Sequence, residues 1–165
     1  MILATDVHYN GSTAIAAGVL FDTWDAAALC RELTCEVGNI EPYQSGSFYK
    51  RELPRILALL DRYSLTVDCI VIDGFVYLDD QLKPGLGKHL FDALNGKASV
   101  IGVAKSPFHG IGDEHKLYRG SSEKPIYITA SHDLTTAKRN VLAMHGKFRL
   151  PTLLKRVDQL CRKGQ

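Results

Sequence analysis

The sequence predicts an α/β fold: a mixed sheet that begins as an antiparallel three-strand meander, continues with parallel strands, and is flanked by helices. Three observations predict it. Asn10-Gly11 separates two apolar runs, ILATDVHY and STAIAAGVLF, and that dipeptide supplies the positive φ angles of a type I′ hairpin turn. From Glu52 onward the apolar period becomes helical, with Leu53, Ile56, Leu57 and Leu60 on one face. VDCIVIDG and ASVIGVAK are short continuous apolar runs with a helix-compatible segment between them, and strand, helix, strand in succession implies parallel pairing.

Taken in order, the first strand is ILATDVHY and the second ends near Phe21. A third is expected over 27 to 37, where AALCRELTCEV loosely alternates after the turn-like Asp22-Thr23-Trp24-Asp25. Pro54 is tolerated in the first turn of a helix, so Glu52 is expected near a helix N-terminus. VDCIVIDG reads as a central strand buried on both faces, with its polar residue, Asp73, at the carboxyl end. After Pro84, GLGKHLFDAL suits a short helix, and ASVIGVAK a buried strand ending at Lys105. Residues 106 to 124 are Gly-rich and charged, with room for one short strand, and KPIYIT reads as an edge strand beginning after Pro125. Ser131 is a suitable N-cap for a helix from about His132 to His145, and Pro151 suits the first position of a last amphipathic helix.

With 165 residues, 45% hydrophobic and 23% charged, the composition is that of a chain able to bury one core, read as a single domain over residues 1–165. No apolar run reaches the roughly 18 residues of a membrane span, and Met1 leads straight into a strand-like segment, so a cytoplasmic protein is expected. Cys30, Cys35, Cys69 and Cys161 lack CxxC spacing and read as small buried hydrophobes. Net charge is +2, yet residues 138 to 165 carry eight Lys/Arg against one acid, Asp158, an asymmetry compatible with a phosphate-tracking face or with solvated terminal helices.

Three acids fall at element ends: Asp6 inside the first strand, Glu52 at the helix start, and Asp73 at the end of the central strand. A carboxylate interrupting an apolar strand costs several kcal/mol unless paired or bound to a cation. Mg2+ suits such a site, because it takes oxygen ligands and typically uses one or two carboxylates together with substrate phosphate. PGLGKH does not read as a nucleotide-binding loop, since position 82 is Leu and His89 follows Lys88.

The segments DVHY, PYQSGSFYKRELP, VIDG, GLGKHL, VIGVAK, ITASH and RLP occur in the order and approximate spacing of the endonuclease V family, which the chain resembles over nearly its whole length. The most specific piece is Pro42, Tyr43, Gly46, Phe48, Arg51, Glu52 and Pro54. The resemblance implies an RNase H-like fold and a Mg2+-dependent endonuclease, with Mn2+ a substitute, that cuts DNA or RNA 3′ to a deaminated base, chiefly hypoxanthine. It implies Asp6, Glu52 and Asp73 as metal ligands, Lys105 near the scissile phosphate and His132 as the catalytic histidine. Tyr43 matches the strand-separating wedge, and Gly74, Gly85 and Gly87 are expected to line a pocket for the extruded base. After Asp73-Gly74 the family usually continues with His-Gly and then His-Pro-Arg, where this chain has Phe75-Val76 and Leu78-Asp79-Asp80. An RNase H-like nuclease for another substrate and a nucleic-acid-binding module without turnover therefore stand as alternatives.

Overall fold

The computed structural model describes residues 1–38 and 48–163, Phe48 through its backbone only. The expectations for Pro42, Tyr43 and Gly46 lie outside the described residues.

The Asn10-Gly11 turn joins β1 (Ile2–Asn10) to β2 (Thr13–Phe21), with Gly11 at φ 61°. Then come β3 (Arg31–Val37), α1 (Phe48–Arg62), β4 (Cys69–Asp73), α2 (Leu86–Ala93) and β5 (Ser99–Ala104). A 3-10 turn at Asp113–His115 precedes β6 (Lys116–Leu117), β7 (Ile126–Ala130), α3 (Leu134–Ala143) and α4 (Thr152–Lys163). The seven strands form one sheet in the order β3-β2-β1-β4-β5-β7-β6. β1, β2 and β3 are antiparallel neighbours, β1, β4 and β5 are parallel, and β7 returns antiparallel to β5. This is the predicted mixed sheet.

Strand alternation divides the core into two. Ile2, Ala4, Val71, Ile101, Val103 and Ile128 pack under α3 and α4, while Leu3, Ile70, Ile72 and Val100 pack under α1 and α2. Helices therefore cover both faces, which is why β4 and β5 read as unbroken apolar runs.

Four expectations shift. The third strand begins at Arg31, because residues 22–30 turn before pairing resumes. Helix α1 begins at Phe48, so Pro54 lies inside it and Glu52 in its second turn. KPIYIT is not the edge, since β6 pairs outside β7. Asp133 rather than Ser131 caps α3, accepting from the Thr136 amide at 2.9 Å, while Ser131 Oγ accepts from Val100 N.

Candidate active site

In the parallel pair, Ile2 aligns with Cys69, Ala4 with Val71 and Thr5 with Ile72. Carrying that offset one residue further sets Asp6 beside Asp73, on the face covered by α4. Val103 aligns with Asp73, so Lys105, two residues on, leaves β5 toward the same face. From above, α4 buries Leu153, Val157 and Cys161, and helical spacing turns Asp158 toward the strand ends. Asp6, Asp73, Lys105 and Asp158 thus line one small cavity of about 30 Å³, with Val71, Val103 and Leu154 among its apolar walls. That volume is about one water's share of liquid, the scale of a single ion or water. Carboxylate oxygens of Asp6 and Asp158 and the Cys161 sulfur lie within 4.8 Å of one another.

Glu52 approaches from α1, on the other layer. Ile56 and Leu59 anchor that face of the helix at 1% and 0% exposure, and Glu52, one turn before Ile56, is buried with them at 7%. The Arg51 guanidinium lies 3.7 Å above the Tyr9 ring. The Tyr9 hydroxyl faces the Glu52 carboxyl without reaching good hydrogen-bond geometry, and burial with that carboxylate pushes its ionisation above the usual tyrosine range.

The electrostatics are those of crowded acids. Burial, then the neighbouring Asp73, pushes Asp6 up to about 7, against a single backbone hydrogen bond from Val7. Burial raises Glu52 to about 8, with Asp6 and Asp73 adding to the rise and Tyr9 opposing it. Asp73 is also raised by burial, and Lys105 is the first group that pulls it back. A set of hard oxygen donors held partly protonated by confinement and mutual repulsion is matched to a small divalent cation. Asp6, Asp73, Asp158 and Glu52 are the residues that could hold one.

A second, larger cavity of about 770 Å³ opens beside the first and shares Asp73 and Lys105 with it. One wall carries Tyr49 and His89, stacked at 3.7 Å between ring centroids, and another carries Phe75 and Phe108 at 5.9 Å. Gly74, at φ 134°, lets the chain leave β4 and cross over Gly102, where Val76 N donates to Thr129 Oγ1. Gly74 and Gly85 line this cavity. Gly87 does not; a Cβ there would meet Val76 Cγ2 at 2.6 Å, so its smallness serves packing of α2 on the loop after β4.

His132 is not brought to the carboxylates. Because β7 runs antiparallel to β5, its carboxyl end lies toward Val100, away from Lys105, and His132 lines a third cleft with Asp79, Asp80, Glu114 and His115. Asp158 is the site residue that the sequence reading left unassigned. Its signal was present: the sole acid of the basic C-terminal segment stands next to the apolar stripe Leu153, Val157, Cys161.

A family model for endonuclease V matches residues 1–124. Endonuclease V of Streptomyces avermitilis is 32% identical over 189 residues, covering 99% of this chain and 80% of that protein. The chain belongs to the endonuclease V family. The crystal structure of the Streptomyces avermitilis endonuclease V aligns with a TM-score of 0.76 at 30% identity, over 98% of this chain and 79% of that one. Ciona intestinalis endonuclease V, solved in complex with a 24mer DNA containing an inosine followed by a ribo-adenosine, aligns with a TM-score of 0.79 at 22% identity, over 98% and 84% of the two chains. The mixed sheet is therefore the RNase H-like fold of the endonuclease V nucleases. The departures at Phe75 and Asp79-Asp80 fall in the walls of the second and third clefts rather than on the carboxylates.

Proposed function

We propose that this endonuclease V family member is a Mg2+-dependent endonuclease that hydrolyses a phosphodiester 3′ to a deaminated base, in DNA or RNA. The observation that carries the reading is the shared wall: Asp73 and Lys105 belong both to the ion-sized carboxylate cavity and to the large aromatic-walled one. A nucleotide whose base entered the large cavity would have its flanking phosphate beside the acids.

Asp6, Asp73 and Asp158, with Glu52 from the other layer, would hold Mg2+, and Mn2+ would substitute. When bound, the ion supplies positive charge against the oxygens on which negative charge builds in the transition state. Lys105 balances phosphate charge from the opposite wall. Tyr49, His89, Phe75 and Phe108 offer ring faces to an unstacked base, offsetting part of the cost of extruding it. No step is given to His132.

A second reading has an observation in its favour. Phe75 and Phe108 offer ring faces that stack on any unpaired base without reading its hydrogen-bonding edge, which supports an RNase H-like nuclease for another substrate.

The test is cleavage of end-labelled single-stranded DNA and RNA, with and without one inosine, in Mg2+, Mn2+ or chelator. Inosine-dependent cutting on its 3′ side, abolished by chelator and reduced at least about a hundredfold (~2.7 kcal/mol of barrier) in Asp73→Asn and Asp158→Asn, is expected. Cutting without regard to inosine would select the second reading, and folded protein that cuts nothing would sink both.

A further inference from the structure

The third cleft, of about 470 Å³, lies on the side of the molecule where β7 ends and is lined by Tyr77, Asp79, Asp80, Glu114, His115 and His132. Ligand atoms of Asp80, Glu114 and His115 lie within 4.8 Å of one another. His115 Nδ1 is 2.7 Å from the Ile128 carbonyl oxygen. A carbonyl can only accept, so Nδ1 donates to it, and Nε2 is the ring atom left to face the cleft. That atom faces Glu114 Oε1 at 3.5 Å. A cation lodged between the two would be held by both.

The surrounding bases do not supply one. Lys116 is paired with Asp113 at 2.9 Å, and Lys138 donates to the Glu114 backbone carbonyl at 2.8 Å. Among the described residues no Lys or Arg forms an ion pair with Asp80 or Glu114. Asp79 has another task, accepting from the amides of Gln81 and Lys83 at 2.9 and 3.0 Å and so shaping the loop that presents Asp80. An imidazole fixed through its far nitrogen by a backbone carbonyl is the arrangement that orients metal-bound histidines.

We propose that Asp80, Glu114 and His115 form a second metal site, which takes Zn2+ or a similar late first-row divalent ion. One nitrogen and two carboxylate donors, with water completing the shell, suit such an ion better than Mg2+. Tetrahedral bonds of about 2.0–2.1 Å would set donors roughly 3.4 Å apart, a contraction that the exposed Asp80 and Glu114 side chains are free to make. The ion would clamp the loop after β4 to the loop after β5. These loops already meet at Asp79 and Gly110, where a Cβ on Gly110 would lie 2.6 Å from that of Asp79, and they carry Phe75, Leu78 and Phe108 of the large cavity. The site does not depend on the proposed nuclease activity.

Calorimetric titration of the whole protein with Zn2+, in saturating Mg2+, should reveal a site that His115→Ala weakens at least tenfold, and Asp80→Asn likewise, with circular dichroism verifying the fold. X-ray absorption of the Zn2+-loaded protein should show imidazole nitrogen in the first shell, a readout that needs no variant. Undiminished Zn2+ affinity in folded His115→Ala, or a shell of oxygen and sulfur only, would overturn the assignment.

Discussion

Asp6 ionises near 7 in the folded protein and near 3.8 when unfolded, and Glu52 near 8 rather than 4.5. Between these values the folded state binds more protons than the unfolded one, so stability falls as pH rises through that interval. Thermal melts in chelator should therefore show a melting temperature that declines from pH 5 to pH 8. Asp6→Asn removes part of the slope and is expected to melt higher than the parent at pH 8, by about 2–4 °C for each kcal/mol recovered. Added Mg2+ should raise the parent's melting temperature more at pH 8 than at pH 5, because only the ionised carboxylates bind it. A flat profile in chelator would mean that these acids are not confined as the fold places them.

Two connections hold in register the elements that carry the candidate site. Gly102 in β5 lies under the loop that follows Asp73; a Cβ there would stand 2.5 Å from the Gly74 carbonyl and 2.7 Å from Thr129 Oγ1. Gly102→Ala must push that loop away and is expected to cost about 1–3 kcal/mol in urea unfolding, with a loss of cleavage out of proportion to stability. The second connection is Arg119, which is 3% exposed and donates to the carbonyls of Met144, Gly146 and Phe148 at 2.6, 3.0 and 2.6 Å. Its charge sits at the carboxyl end of α3, where the helix dipole favours it, and fixes the turn into α4 that brings Asp158 over the sheet. Arg119→Ala should lower unfolding free energy by at least about 2 kcal/mol, since charged donors are removed from buried carbonyls. If instead the variant unfolds like the parent, the turn is held by packing alone.

On the scale of the whole molecule, much of the basic C-terminal segment is spent internally. Arg156 pairs with Glu32 at 2.6 Å, Arg162 with Asp158 at 3.0 Å, and Arg149 donates to the carbonyls of Pro125 and Lys105. Lys155 is exposed on α4, three residues before Asp158, and so is placed to meet backbone phosphate near the acids. Replacing it by Ala should weaken binding to inosine-containing and plain single strands alike, and reduce the slope of log affinity against log salt by about 0.7. An unchanged slope would remove Lys155 from the nucleic-acid path.

The sheet was legible in the sequence because its signals are local: the Asn10-Gly11 turn, the two-residue alternation, and the unbroken runs of β4 and β5 follow from backbone geometry and from which faces are covered. Asp6 and Asp73 were legible too, the first as a carboxylate interrupting an apolar strand and the second as the polar end of another. Asp158 was not, because its helix docks on β1 and β2 more than 130 residues away in the chain, and no local pattern records what an exposed-looking helical acid will face. His132 was misplaced for the same reason: a histidine after a strand looks equally suited to either end of the sheet until the antiparallel pairing of β7 with β5 decides which end it occupies. Local physics specifies the elements and their polar ends, whereas the meeting of distant groups at one cavity depends on topology and docking, which only the folded chain determines.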